Sequence, residues 1–333
     1  MAIKVAHLNA GAANTIIYQQ LTKIKRFPPA PQTPLPVANE ARTLTPLLAA
    51  NSHWHERWPA GEHSAWQRLQ QFIEQDIATY QHERDFPALD GTSQLSPYLA
   101  CGVISVRSCW QMAVQNNRNE FNSGCQGTVT WLTELLWREF YQHLLAMHPR
   151  LSRGEPYQPH TTHIGWRNAP NELQAWQQGR TGFPLIDAAM RQLASTGWMH
   201  NRLRMVVAMF LSKNLLLDWR HGERWFMQHL IDGDLAANNG GWQWSASTGT
   251  DAAPYFRVFN PVTQSQRFDP QGDFIRQWLP ELAHLSNKDI HLPPRGLFEQ
   301  HYPAPMVDLK SSRLRAIEVF QHSKETWVDS ESK

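Results

Sequence analysis

From Ala65 onward, apolar residues recur three and four positions apart and runs of period two are scarce, so the spacing predicts a body of many helices. Gly102, Pro149, Gly182-Phe183-Pro184, Gly197, Gly222 and Gly240-Gly241 read as the stops between them. Upstream, residues 1–26 carry no strong period, and FPPAPQTPLPVA, Phe27 to Ala38, reads as a semi-rigid extended connector. The expected organisation is an arm over 1–58, an all-α multi-helix bundle over 59–310 and a charged, fraying tail over 311–333.

Within that pattern, TWLTELLWREFYQHLL (Thr130 to Leu145) carries a core stripe of Leu132, Leu135, Leu136 and Leu144. Glu134, Trp137, Arg138 and Tyr141 fall at i, i+3, i+4 and i+7 on another face, either as a solvated, salt-bridged surface or as an aromatic pocket with one carboxylate. The pocket is the sharper reading, because two large aromatics at that spacing are rarely left in water. PLIDAAMRQLASTGWMHNRLRMVVAMFL reads as a helix pair broken at Gly197. Asp187 and Arg191 stand at i, i+4 as a local ion pair, while Asn201, Arg204 and Met205 share one face and Arg202 points elsewhere. An amide and a guanidinium on such an apolar helix need partners if buried.

In the segment Leu217 to Pro261, Asp232, Asp234, Asn238 and Asn239 crowd together, but the spacing lacks the further ligands of an EF-hand loop and no metal site is expected. Trp242 and Trp244 lie two apart, about 200° around a helix, so one can face the core while the other faces a cleft. In DGTSQLSPYLACG, Ser96 before Pro97 reads as a helix cap, and Thr92, Ser93 and Ser96 put hydroxyls beside exposed N–H groups. That is an ordinary cap or equipment for a pyrophosphate. Neither GxGxxG nor a P-loop occurs.

The formal net charge of +2 excludes a protein drawn to polyanions by its overall field, so any nucleic-acid site must be a local patch. Arginine outnumbers lysine 23 to 8, which favours forked grips on phosphate or carboxylate. Cys101, Cys109 and Cys125 form no CxxC pair, so a cytoplasmic protein without zinc or disulfides is expected, and no apolar run is long enough for a membrane span. Fifteen tryptophans, several in polar segments, exceed what packing alone explains.

Taken together, TELLWREFY, GRTGFPLIDAAMRQLASTGWMHNRLRM and DGDLAANNGGWQWSASTGTDAAPYFRVFNP resemble the FAD-binding domain of the photolyase and cryptochrome family, nearest the class I cyclobutane pyrimidine dimer photolyases of bacteria. The likeness runs from about Tyr80 to Leu282. It implies FAD held by Tyr80, the loop Thr92, Ser93, Gln94, Leu95 and Ser96, and further by Trp137, Arg138, Tyr141, Arg204, Asp232, Gly233, Asp234 and Asn238. Asn238 would lie beside the flavin N5, where plant cryptochromes carry Asp.

The same resemblance implies a dimer pocket of Glu134, Trp137, Asn201, Met205 and Trp244, and DNA contacts from Arg84, Arg202, Arg257 and Gln264. It also implies an electron relay of Trp242, Trp219 and Trp166. Fully reduced, excited FAD would donate an electron to a flipped-out dimer and recover it after ring opening. Family members carry an N-terminal α/β antenna domain that has no counterpart here, so no antenna chromophore is expected. The implied substrate is DNA containing pyrimidine dimers, acted on by a monomer with no protein partner. A light-signalling cryptochrome and a (6-4) photolyase, with His200 near the pocket, are the alternatives.

Overall fold

The computed structural model describes residues 56–294 and 302–331; the expected arm and proline-rich connector lie outside it except for their last three residues. In chain order the helices are α1 (Glu62–Gln71), α2 (Tyr80–Glu83), α3 (Ser96–Ala100), α4 (Val106–Asn116), α5 (Gln126–Met147), α6 (Pro170–Gln177) and α7 (Pro184–Thr196). After them come α8 (Asn201–Met209), α9 (Trp219–His229), α10 (Leu235–Ala246), α11 (Pro261–Phe268), α12 (Asp273–Trp278) and α13 (Leu309–Glu331). Among the described residues the only β pairing is an isolated bridge between Arg167 and Leu217, so the all-α expectation holds.

Local chemistry sets the helix ends. Ser105, Asp218, Asp234 and Asn260 each accept a bond from a backbone N–H of the first turn they precede. Pro170, Pro184 and Pro261 start helices where an N–H would be unpaired anyway. Gly197 ends α7 at φ 66°, a conformation glycine adopts without strain. Ser96, expected as a cap, is instead the first residue of α3 and makes no capping bond; its Oγ accepts from Trp198 Nε1 at 3.3 Å.

Two of the expected stops are not stops. Gly222 lies inside α9 and Gly240-Gly241 inside α10, because helix packing there needs the missing Cβ. A Cβ on Gly222 would fall 2.0 Å from Trp242 Cη2, and one on Gly240 2.2 Å from Tyr141 Cδ1. Close approach, not chain reversal, selects glycine at both positions.

Two apolar clusters form the core. One gathers α1 to α5 around Phe72, Trp131, Leu132 and Phe140; the other gathers α6 to α10 and α12 around Trp176, Phe210, Trp219, Trp242 and Phe274. Helix α5 packs against α10, and α8 against α10, which fixes the walls of the main cleft. Trp58, placed at the end of the arm, belongs to the first cluster: it is buried, donates to Gln94 O at 3.0 Å and packs on Trp198 at 6.0 Å.

The last segment is not a fraying tail. Helix α13 presents Ser312, Ala316, Phe320 and Ser323 to the body at helical spacing, and these four are buried. Asn214 Nδ2 donates to Ser312 Oγ at 3.1 Å, and Ser323 Oγ donates to His160 O at 2.8 Å. The dense charges of this stretch mask an apolar stripe only one residue wide per turn. The expected Asp187–Arg191 pair is also corrected. Asp187 is fully buried and accepts from Thr181 N, Thr181 Oγ1, Gly182 N and Tyr302 Oη at 2.7, 2.7, 3.0 and 2.5 Å. Arg191 instead reaches Glu281 at 2.7 Å.

A π-helical turn, Phe210–Asn214, extends α8 and turns Lys213 fully inward. Its Nζ donates to Ser247 Oγ at 2.7 Å and lies 3.8 Å from the Phe320 ring centroid. Burial pulls the Lys213 pKa down from 10.5 to about 7. Between those values the unfolded chain binds a proton that the folded chain does not, so stability should rise with pH over that window and be flat for this group below it. The slope attributable to Lys213 is at most about 1.4 kcal/mol per pH unit. Denaturant titrations from pH 7 to 10 should show it in the native protein and lose it in Lys213→Met; an unchanged slope would refute this assignment.

Candidate functional site

Helices α5, α8 and α10 enclose a cleft of about 530 Å³, the size range of small-molecule sites. Glu134, Trp137, Arg138 and Tyr141 of α5 all line it, so the pocket reading of that face holds over the solvated one. Across from them stand Asn201, Arg204 and Met205 of α8, Asp232 and Asp234 before α10, and Trp244 of α10. Ser96 and Arg84 close the remaining side. A smaller lobe of about 160 Å³ continues the cleft past Asn238 to Trp242, Phe226 and Ser245.

The cleft is polar at fixed points. Arg204 Nη2 meets Asp232 Oδ2 at 2.7 Å, and Arg204 Nε donates to Met199 O at 2.8 Å. Asp232 is buried and Arg204 is its ion-pair partner. Its second oxygen, Oδ1, is buried without a partner and needs a donor that the protein does not supply. Asp234 caps α10 at Ala237 N and accepts from Arg138 Nη2 and Gln142 Nε2 at 3.2 and 2.7 Å, tying α5 to α10. Asn238 Nδ2 donates to Glu223 O at 3.0 Å. Glu134 Oε1 pairs with Arg84 Nη1 at 2.8 Å. Burial pushes the Tyr141 phenol up, with Asp251 and Glu134 adding to it, so it stays neutral.

Several expected residues stand away from the cleft wall. Thr92, Ser93, Gln94, Leu95 and Gly233 do not line it. Leu95 is core, and Gln94 Oε1 accepts from Arg57 and Arg68 at 3.0 and 3.1 Å. Tyr80 is buried edge-on to Phe72, under the Arg84 guanidinium at 5.4 Å. Arg202 pairs with Asp85 at 2.8 Å beside the cleft, Arg257 is exposed, and Gln264 Oε1 is buried without a partner.

The tryptophans separate as the 200° argument requires. Trp242 is buried, its ring 5.1 Å from Phe226 and 6.1 Å from Trp176, while Trp244 faces the cleft. Trp219 is buried in the same cluster with the Arg220 guanidinium 4.9 Å from its ring, and Trp166 is half-buried against Phe320 at 5.9 Å. Among the described residues no group of acids, histidines or cysteines could hold a metal ion, and no helix is long and apolar enough to cross a membrane.

Sequence reasoning missed three contributors. Gly241 lines both lobes, and a Cβ there would meet nothing within 4 Å. Asp251 lines the mouth, and Trp176 packs on Trp242. The Gly240-Gly241 pair was the available signal, but it read as a break.

Residues 131–322 match the family model described as the FAD binding domain of DNA photolyase. The deoxyribodipyrimidine photo-lyase of Escherichia coli is 51% identical over 271 residues, covering 80% of this chain and 57% of that protein. The crystal structure of a bacterial class III photolyase from Agrobacterium tumefaciens matches with a TM-score of 0.77 at 40% identity, over 82% of this chain and 58% of that one. The Synechocystis cryptochrome structure matches with a TM-score of 0.72 at 34% identity, over 78% and 56%. The chain thus spans a little over half the length of these relatives. On that family match and these identities, the chain belongs to the family of FAD-binding domains of DNA photolyase.

Proposed function

We propose that this chain holds FAD in the cleft and, under light, splits cyclobutane pyrimidine dimers flipped out of DNA. The observation that carries the reading is the convergence of two indole walls, Trp137 and Trp244, with Glu134, Asn201 and Met205 beside the Arg204–Asp232 pair in one cleft. The residues present fit a flavin. Asp232 Oδ1 is a buried acceptor that a ring N–H would satisfy, and Gly241 leaves open space along α10 for a flat ring. Arg138, Tyr141, Asp234 and Asn238 would complete the cofactor's surroundings, with Tyr80 and the Thr92–Ser96 loop supporting it. Bound there in its reduced form, the flavin would supply the light-driven electron chemistry that the side chains lack.

The chain's own groups do the rest. The two indole faces offer flat walls for the dimer; on an ordinary base such stacking is worth about 1–3 kcal/mol. Glu134 and Asn201 offer an acceptor and an amide to the pyrimidine edges. Arg84, Arg202 and Arg257 would take backbone phosphates, with Gln264 beside them, forming the local patch that the small net charge requires. Trp242 and Trp219 lie in one apolar core cluster with the half-buried Trp166 packed against it, which supports a relay toward the surface.

The alternatives gain less. His200, the residue that a (6-4) reading would use, is buried, lines neither lobe, and is held neutral by burial at a pKa of about 4. The decisive experiment is illumination of the flavin-loaded, chemically reduced protein with a thymine-dimer oligonucleotide. Restoration of intact thymines in light and none in the dark is expected; binding of flavin without any light-dependent repair would favour signalling instead.

A further inference from the structure

At the rim of the cleft two arginines and two carboxylates interlock. Arg84 Nη1 lies 2.8 Å from Glu134 Oε1, Arg202 Nη2 lies 2.8 Å from Asp85 Oδ1, and Arg84 and Asp85 are neighbours in the chain. Each guanidinium also lies against an aromatic ring, Arg84 at 5.4 Å from Tyr80 and Arg202 at 4.4 Å from Phe268. Both cations are therefore held in place with a carboxylate on the fork that would otherwise take a phosphate. Burial alone would lower the Arg84 pKa, and Glu134 together with Tyr80 and Asp85 outweighs it, so the guanidinium keeps its charge.

We propose that Glu134 and Asp85 stand in for nucleic-acid phosphates in the free protein, and that the Arg84–Glu134 pair makes the cleft reject undamaged DNA. The inference rests on the proposed role of Arg84 and Arg202 at the DNA backbone. The two pairs respond differently when a phosphate takes the arginine. Glu134 lines the cleft, whereas Asp85 does not. Losing Arg84 leaves Glu134 a half-buried carboxylate without its cation, a costly state. A dimer in the cleft relieves that state, because its imide N–H donates to the carboxylate. Undamaged duplex leaves the cleft empty, so the cost stands. Selectivity then comes partly from a penalty against the wrong partner. Asp85, released at the rim toward water, weakens binding of both duplexes alike.

The test measures dark binding of the flavin-loaded protein to undamaged and dimer-containing duplexes. The variants are Glu134→Gln, Arg84→Gln, their combination, and Asp85→Asn. Glu134→Gln should tighten the undamaged duplex about two- to fivefold. In the Arg84→Gln background the same change should have no effect, since no ion pair remains to be broken. Asp85→Asn should tighten both duplexes by one common factor. Equal tightening by Glu134→Gln with and without Arg84, or none in either background, would overturn the proposal. A native protein that fails to distinguish the duplexes overturns the function beneath it, a result visible before any variant is made.

Discussion

Gly241→Leu should raise the stability of the flavin-free protein and remove its flavin. The position is interior to α10, where glycine costs roughly 0.5–1 kcal/mol relative to alanine. A side chain begun there meets nothing within 4 Å and grows into the cleft. The variant should unfold at a higher denaturant concentration without cofactor, yet purify with a flavin to protein ratio near zero. Gly240→Ala, one residue away, should do the opposite, because its Cβ would collide with Tyr141; overpacking of that kind costs about 1–3 kcal/mol. Full flavin occupancy in Gly241→Leu would show that the cofactor lies elsewhere.

That contrast marks where the sequence stops being legible. The helical period gave the fold class, and the i, i+3, i+4, i+7 set on α5 gave one whole wall of the cleft. The two-residue offset of Trp242 and Trp244 told core from cleft. What stayed hidden depends on distant neighbours. Gly222 looks like a break until the Trp242 ring is seen resting on it, and Asp187 looks like the partner of Arg191 until Tyr302, 115 residues on, is seen to take it. Helix α13 shows the same limit, since its burial rests on a stripe of small residues plus Phe320, and a hydrophobicity pattern gives small residues little weight.

Trp244→Ala should weaken binding of dimer-containing DNA by about five- to 150-fold, the range set by stacking of about 1–3 kcal/mol on one base. Flavin content should stay near that of the native protein. Trp244 is half-buried and belongs to neither large core cluster, so helical content should also be unchanged. Affinity for undamaged duplex should hardly move, because nothing stacks there when no base is flipped. Titration of both duplexes in the dark gives the ratio directly. A common loss on both would mean that the indole supports the rim and does not receive the lesion.

The lining of the cleft runs from Arg84 to Asp251, and α13 then reaches back to His160. Such distant closures carry a loop entropy that must be met before the contacts reward it, so they form late. During synthesis, α5 can be packed on α1 to α4 long before Trp244 and Asp251 have left the ribosome. The cleft thus cannot be complete until Asp251 is free to fold, and the flavin must enter after that point rather than template the earlier helices. Shortage of the cofactor would then lower the yield of loaded protein without stalling the packing of α5 on α1 to α4.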